Sequence, residues 1–283
     1  MKGQGPKSKV QSSKSGVSAP KLAAYSRADL AVAMAVAALL AALWFGFNHL
    51  GERGRTARCA RNLGALGQAI GGYASDHNDG IPAAAIDLES AKRTWDMELL
   101  PYLKPSLARS QGAYEQRQRL LAAQPCFFCP SDPVQRGGHP RSYSMSARDM
   151  ASGWPPEAGD KTGVGVLWSK DTVGLLGDAA APNGKKDPES LPKLKRYVMP
   201  NPAGTLLLTE LMTPGNTMGS VLGARIFGVN EQEGVFKQAP RLHSGRFNYL
   251  MADGQVAWLT GLQTGGLGGK DSPAGIWTVK AGD

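Results

Sequence analysis

The three cysteines are the most reactive side chains in this sequence. Two of them form a CxxC pair, Cys126-Phe-Phe-Cys129, and the third is Cys59. A CxxC pair occurs as a redox dithiol, as half of a zinc site or in a structural disulfide. A thioredoxin-like dithiol is expected at the start of a helix in a βαβ unit, whereas here Pro125 and Pro130 flank a short loop.

A zinc site would need two ligands beyond the CxxC pair. The sequence offers Cys59 and four histidines, but it contains no second CxxC and no HxxxH pair. We therefore predict no metal or other cofactor, and one structural disulfide in which Cys59 bonds either Cys126 or Cys129. A bridge closing roughly seventy residues stabilises a fold by about 4 kcal/mol in the loop-entropy account. The histidines are His49, His77, His139 and His243.

The next candidate is His243, which precedes Asp253-Gly254 by nine residues. A lone histidine here is either a ligand or, more simply, a hydrogen-bonding residue at the end of a strand. Ser244 beside it is not a catalytic partner, because adjacent side chains do not face each other. The sequence has no G-x-S-x-G elbow and no P-loop, so we predict a protein that is not an enzyme.

Asp253-Gly254 separates two segments of alternating polarity and predicts a β-hairpin with a type I′ turn. The corresponding register pairs Met251 with Val256 and Tyr249 with Trp258. It places these side chains on one face, which we expect to be buried. This gives Asp253 and Gly254 a structural role.

Asp29 and the acidic stretch at 76–80 each have competing interpretations. Asp29 lies at the start of an apolar run, where it either caps a helix or is reserved for a positive charge on a neighbouring subunit. The stretch DHNDG at 76–80 superficially resembles a calcium loop, but its spacing differs from that of an EF-hand. It is more simply the end of a helix, although calcium stays possible.

The elements that must position these residues begin with an unbroken apolar run of 18 residues, Leu30–Phe47. As a helix, 18 residues rise about 27 Å, close to the hydrocarbon thickness of a bilayer. Trp44, Phe45 and Phe47 stand at the end of the run, as in an aromatic belt. We therefore predict one transmembrane helix.

The positive charge of the chain is concentrated around this run. Residues 1–61 hold ten of the 32 Lys and Arg but only two of the 23 acidic residues, so the rest of the chain is nearly neutral. Such a distribution indicates membrane topology and argues against a nucleic-acid partner. Six basic residues precede the run and four follow it. This favours a cytoplasmic N-terminus, with residues 1–24 as a disordered basic tail.

Beyond the run, Leu63, Leu66, Ile70 and Tyr73 recur at spacings of three and four, which predicts that the helix continues over 51–78. The chain here resembles the prepilin-type family, specifically type II secretion system protein G-like pseudopilins with the H-X9-DG prepilin processing-associated domain. Four features in family order carry this resemblance: the acidic residue and apolar run followed by Cys59-x-x-Asn62-Leu63, YASDHNDGIP at 73–82, Cys129-Pro-Ser-Asp132 with Ser142-Tyr-Ser-Met145, and His243 with Asp253-Gly254.

The resemblance implies roles for several residues. It makes Asp29 the assembly residue that pairs with the terminal amine of an adjacent subunit. It places possible cleavage by a prepilin peptidase between Ala24 and Tyr25. The sequence departs from the family pattern in having Ala24 instead of glycine, Arg27 in an apolar stretch, and aspartate instead of glutamate at Asp29.

Together these observations predict an α+β, pilin-like fold. A long N-terminal helix (25–50 transmembrane, 51–78 periplasmic) packs on an antiparallel sheet in a long-looped head, residues 79–283. The expected function is a structural subunit of a type II secretion pseudopilus or a type IV pilus-like fibre. It would be held in the inner membrane with a periplasmic head and pilin-like partners. The alternatives are a non-polymerising membrane-anchored binding or scaffold protein and, less simply, a CxxC thiol oxidoreductase.

Overall fold

The computed structural model describes residues 26–89, 91–104, 114–148, 162–174, 190–232, 242–265 and 274–279. The chain divides into two compact units, residues 1–47 and 48–283, which are considered separately below. The basic tail 1–24, the possible processing site at Ala24 and Tyr25, and much of the loop-rich stretch 151–200 lie outside the described residues.

The first unit contains the start of helix α1, which runs over Arg27–Asp76. The apolar residues of α1 up to Phe47 are all exposed, and Phe47 itself is 72% exposed. An 18-residue window of α1 has a mean hydropathy of 2.4 and buries none of its residues. Within the described residues, α1 alone is long and apolar enough to cross a membrane, and this is compatible with a single-pass anchor. The long N-terminal helix predicted from the sequence is confirmed.

In the second unit α1 is amphipathic. Apart from Ala69 and Ala74, its buried side chains are spaced by four, three, four and three residues, so they form one stripe along the helix. The helix ends at Asp76, and Asn78 and Asp79 adopt positive φ values of 51° and 60° just beyond it. Asn and Asp tolerate this conformation better than most residues, so the local sequence explains where the helix stops. The stripe consists of Cys59, Leu63, Leu66, Ile70 and Tyr73.

The remaining elements follow in the second unit. The further α-helices are α2 (Trp95–Leu103), α3 (Tyr114–Ala122) and α4 (Lys170–Gly174). The strands are β1 (Ala85–Leu88), β2 (Ala91–Thr94), β3 (Tyr143–Ser146), β4 (Leu167–Ser169), β5 (Leu206–Glu210), β6 (Arg225–Ile226), β7 (Phe247–Met251) and β8 (Val256–Leu259). Thus β4 and α4 lie within the stretch 151–200, for which the head's sequence had suggested long loops.

The strands form two sheets, with orders β2-β1-β4 and β6-β3-β5-β7-β8. The expectation of a purely antiparallel sheet is wrong, because β1 pairs with β4 and β3 pairs with β6 in parallel. Each parallel pair joins segments far apart in sequence, and a long connection of this kind leaves either direction open. The mixed α+β class itself is confirmed.

The centre of the larger sheet is buried on both faces. Every residue of β3, β5 and β7 is buried, as the continuous apolar run in β5 suggests for a doubly covered strand. On one side Leu250 packs against Gly67 of α1, where a Cβ would come within 2.9 Å of Leu250 Cδ1. Tyr249 packs edge-on against Trp277 of the C-terminal segment. The sheet is therefore held between α1 and that segment.

The hairpin β7–β8 is present, but its predicted register is wrong by one residue. Leu250 pairs with Val256, and Asn248 pairs with Trp258. The amide of Gly254 donates to the carbonyl of Met251, and Gly254 has a φ of 91°. This is a three-residue loop with a left-handed glycine, not a two-residue type I′ turn. Consequently Trp258 is 43% exposed and stacks on Arg246 instead of joining the buried face.

Candidate functional site

The structure joins Cys59 of α1 to Cys129 through a disulfide, with a Cα–Cα distance of 5.0 Å. The bonded pair is fully buried in the core. Cys126 is a free cysteine and is half-buried. The sequence had left either pairing open, and only the spatial position of the loop between Pro125 and Pro130 distinguishes them.

Cys126 and Cys129 therefore do not form a CxxC disulfide. Burial raises the pKa of the Cys126 thiol to about 11, which makes it a poor nucleophile near neutral pH. Asn62 of α1 holds the loop in place by donating to the carbonyl of Phe128 at 2.8 Å. The arrangement gives a structural bridge with a neighbouring inert thiol, and it offers no support for CxxC redox chemistry.

His243 lies at the disulfide and contacts three separate segments. Its Nε2 is 3.2 Å from Cys129 Sγ and 2.9 Å from Glu210 Oε1. On the other side of the ring, Nδ1 is 3.1 Å from Glu52 Oε1 and 2.9 Å from Thr56 Oγ1. The His243 side chain is fully buried. The sequence identified this histidine as a hydrogen-bonding residue or a ligand, but it did not identify these partners.

Each neighbouring carboxylate is also hydrogen-bonded. Glu210 Oε2 accepts from the backbone amide of Asn248 at 2.8 Å, and Glu210 Oε1 accepts from its side-chain amide at 2.9 Å. Glu52 Oε1 accepts from the His243 backbone amide and from Ser131, while Oε2 accepts from Arg55. These contacts fix both carboxylates in orientation, as buried charges require. We call Glu52, Cys59, Cys129, Glu210 and His243 the His243 centre.

Neighbouring charges and hydrogen bonds shift the pKa of His243 and the pKa of Glu52 in opposite directions. Burial alone lowers the pKa of His243, but the charges and hydrogen bonds of Glu210 and Glu52 outweigh burial and raise it above its usual value. Burial raises the pKa of Glu52, whereas hydrogen bonds from the His243 amide, Arg55 and Ser131 bring it below its usual value. In each case the neighbouring groups favour the charged form, and burial opposes it.

Local backbone geometry delivers His243 into this position. His243, Ser244 and Gly245 have successive φ values of 45°, 58° and 81°, all in the left-handed region. For the two residues with a Cβ this conformation is costly, and such strain accumulates where surrounding contacts over-determine it. Here those contacts are the carboxylates of Glu52 and Glu210 and the disulfide.

Helix α1 contributes two members of the centre, Glu52 and Cys59, and the neighbouring Thr56 through regular spacing. Glu52, Thr56 and Cys59 are separated by four and three residues and so lie on one face of α1. Glu210 ends the buried strand β5. Sequence reasoning missed Glu52, Thr56, Glu210 and Asn248. The spacing of Glu52 from Cys59 was a usable signal, but nothing local marked Glu210, because its partners belong to distant segments.

Asp253 and Gly254 lie at the far end of β7 from His243, so the structure does not bring the two parts of the H-X9-DG pattern together. Asp253 Oδ1 accepts from the Gln255 amide across the turn. The turn also borders a groove of about 300 Å³ with Gly64 and Gly71 of α1. These contacts agree with the structural role expected for the turn.

The remaining predicted positions have local partners. Asp29 Oδ2 accepts from the Ser26 amide at 2.9 Å, and Ser26 Oγ accepts from the Asp29 amide at 3.2 Å. This is a reciprocal capping box, so Asp29 has a role within its own chain. In the possible calcium stretch, Asp79 pairs with Arg196 at 2.5 Å, and Asp76 accepts from Tyr102. Both carboxylates are thus engaged by protein groups.

No family model, no curated protein and no solved structure matches the chain.

Proposed function

We propose that this protein is a pilin-like structural subunit, anchored in the inner membrane by residues 30–47 with a periplasmic head. It assembles with other pilin-like subunits through α1. The observation that carries the proposal is the contrast along α1: 18 consecutive apolar residues are exposed in the part of their unit that the structure describes, while the continuation of the helix is built into an α+β head. An apolar surface of this length needs lipid or other helices around it.

The head supports the same proposal through its disulfide. Cys59–Cys129 ties α1 covalently to the loop that precedes β3. A helix used for assembly must transmit its position to the domain it carries, and the bridge fixes that link. Disulfides persist in oxidising compartments, so the bridge also supports a head outside the cytoplasm.

A non-polymerising membrane anchor is the second candidate, and the capping box at Ser26 and Asp29 favours it. Because Asp29 already satisfies the first turn of α1, its presence does not by itself require a neighbouring subunit. The two candidates differ in whether the Asp29 charge has a partner in another chain.

Two substitutions separate the capping role from the assembly role. Asp29→Asn keeps an oxygen that can accept from the Ser26 amide but removes the charge, whereas Ser26→Ala weakens the same box and leaves the charge. With a photo-cross-linking residue at Leu40 of the full-length protein, we expect inter-subunit products in native membranes. They should persist in Ser26→Ala and disappear in Asp29→Asn. Equal cross-linking in both variants would contradict an assembly role for Asp29.

Mass spectrometry of the N-terminus provides an independent test. A chain that begins at Tyr25 supports processing by a prepilin peptidase. An intact Met1, combined with no inter-subunit products in any variant, supports the non-polymerising anchor.

A further inference from the structure

The His243 centre contains an imidazole and two carboxylates that a structural disulfide does not need. One candidate ligand atom from each of Cys59, Cys129, Glu210 and His243 lies within 4.8 Å of the others, and all four residues are buried. Two sulfurs, one imidazole nitrogen and one carboxylate oxygen are all donor types that tetrahedral zinc accepts. We propose that, when the Cys59–Cys129 bond is reduced, these four side chains bind one Zn²⁺.

The outer contacts of the centre are those of a metal site. Glu52 and Thr56 contact His243 Nδ1, which leaves Nε2 directed at the sulfur and at Glu210. Carboxylates that hold the far nitrogen of a ligating histidine in this way fix its tautomer and orientation. Glu210 is in turn held by the backbone and side-chain amides of Asn248. Both non-sulfur ligands are therefore pre-oriented.

The geometry requires only a small rearrangement. In a tetrahedron with zinc–ligand bonds of about 2.0–2.3 Å, neighbouring ligand atoms are about 3.3–3.8 Å apart. His243 Nε2 is already 2.9 Å from Glu210 Oε1 and 3.2 Å from Cys129 Sγ. The two sulfurs must separate once their covalent bond is broken, and any pair of ligand atoms at the 4.8 Å limit must come closer by about 1 Å.

A dithiol reductant can supply the electrons and protons that open the Cys59–Cys129 disulfide. The dithiol gives two electrons and two protons to the Cys59–Cys129 bond, becomes a disulfide itself and leaves two thiols. Zn²⁺ then displaces the two thiol protons and the proton on His243 Nε2, and binds two thiolates, one imidazole and one carboxylate. Reoxidation by a disulfide-bearing oxidant reverses the electron transfer and releases the metal. The centre thus exchanges a covalent link for a metal link between α1 and the head.

The test uses the full-length protein in detergent, oxidised or reduced with a phosphine, and titrated with Co²⁺ as a spectroscopic substitute for Zn²⁺. We expect one Co²⁺ per chain in the reduced protein, with a thiolate-to-cobalt absorption band that Zn²⁺ removes. The oxidised protein should show no band. Cys126→Ser is the matched control, because it removes a neighbouring thiol outside the centre and should leave the titration unchanged.

Variants at the other ligands complete the experiment. His243→Ala and Glu210→Gln should abolish or strongly weaken the band. Glu52→Gln keeps all four ligands and should weaken Zn²⁺ affinity by about 10–100-fold. Circular dichroism is recorded for each variant, and the Glu52→Gln result stands even if ligand variants fail to fold. The proposal is overturned if reduced protein binds no Co²⁺, if Cys126→Ser loses the band, or if oxidised protein binds equally. It is also overturned if reduction unfolds the chain and Zn²⁺ does not restore it.

Discussion

The two halves of α1 follow opposite rules within one continuous helix. Over residues 26–47 the apolar side chains surround the helix and are exposed on all sides, as for a segment in lipid. Over residues 59–74 the buried positions narrow to one stripe, and Arg61 and Gln68 are exposed. The spacing of apolar residues therefore distinguishes the first half of α1, which requires an apolar environment on all sides, from the second half, which packs one face into a protein core.

The covalent bridge should produce the largest difference between the halves, because only the head half has one. Cys59→Ser opens a loop of 70 residues and should lower the free energy of unfolding of the head by about 4 kcal/mol. Urea titration of the full-length protein in detergent measures this loss. Cys126→Ser leaves the bridge intact and should change the free energy of unfolding little. An equal loss of stability in both variants would contradict a stabilising role for the bridge.

The same substitution in each half compares the two environments directly. Leu66→Ala removes a fully buried side chain and should cost about 3 kcal/mol in head stability, within the usual range for core leucines. Leu40→Ala, at an exposed position in the first half, should leave head unfolding unchanged. Comparable losses of head stability in the two variants would contradict the difference in environment between the two halves of α1.

A smaller effect is expected where α1 supports the cysteine loop. Asn62→Ala removes two hydrogen bonds to the carbonyls of Pro125 and Phe128 and should lower the free energy of unfolding of the head by about 1–2 kcal/mol.

The reactivity of Cys126 tests the same loop. In the parent protein, Cys126 with its pKa of about 11 should be alkylated at pH 8 about 100-fold more slowly than a thiol with the usual pKa of 9.0. The Asn62→Ala variant should react faster, while Gln68→Ala, at an exposed amide of the same helix, should not.

The smallest expected effect concerns the helical glycines of the head half. A Cβ at Gly64 meets no atom within 4 Å, so Gly64→Ala should stabilise the head by about 0.5–1 kcal/mol through helix propensity. At Gly67 the new methyl group would displace Leu250, which should cancel that gain. Thermal unfolding of both variants measures the difference, and a larger gain for Gly67→Ala would contradict the observed packing.

The helix and its end were predictable because their signals are local. The apolar run, the stripe from Leu63 to Tyr73 and the exit near Asp79 all depend on neighbouring residues. The hairpin was predictable in place but not in register. The choice between a two-residue and a three-residue loop depends on which residue takes the left-handed conformation, and only Gly254 does so in the Asp253-Gly254 pair.

The His243 centre was much less predictable. Its members come from α1, the cysteine loop, β5 and the segment before β7, and no pattern in one segment indicates that the others converge on it. The free CxxC thiol illustrates the same limit. Only two residues lie between Cys126 and Cys129, yet only Cys129 bonds Cys59, because tertiary position rather than spacing decides which sulfur bonds.

The Cys59–Cys129 bond also determines how the molecule would carry mechanical load. Any tension that enters along the N-terminal part of α1 and leaves through the chain after Cys129 can cross directly at the sulfurs. Residues 60–128 then form a closed loop that bears none of that force. A pull on the anchor therefore reaches the segment before β3 through the disulfide, and the part of α1 beyond Cys59 keeps its packing under traction.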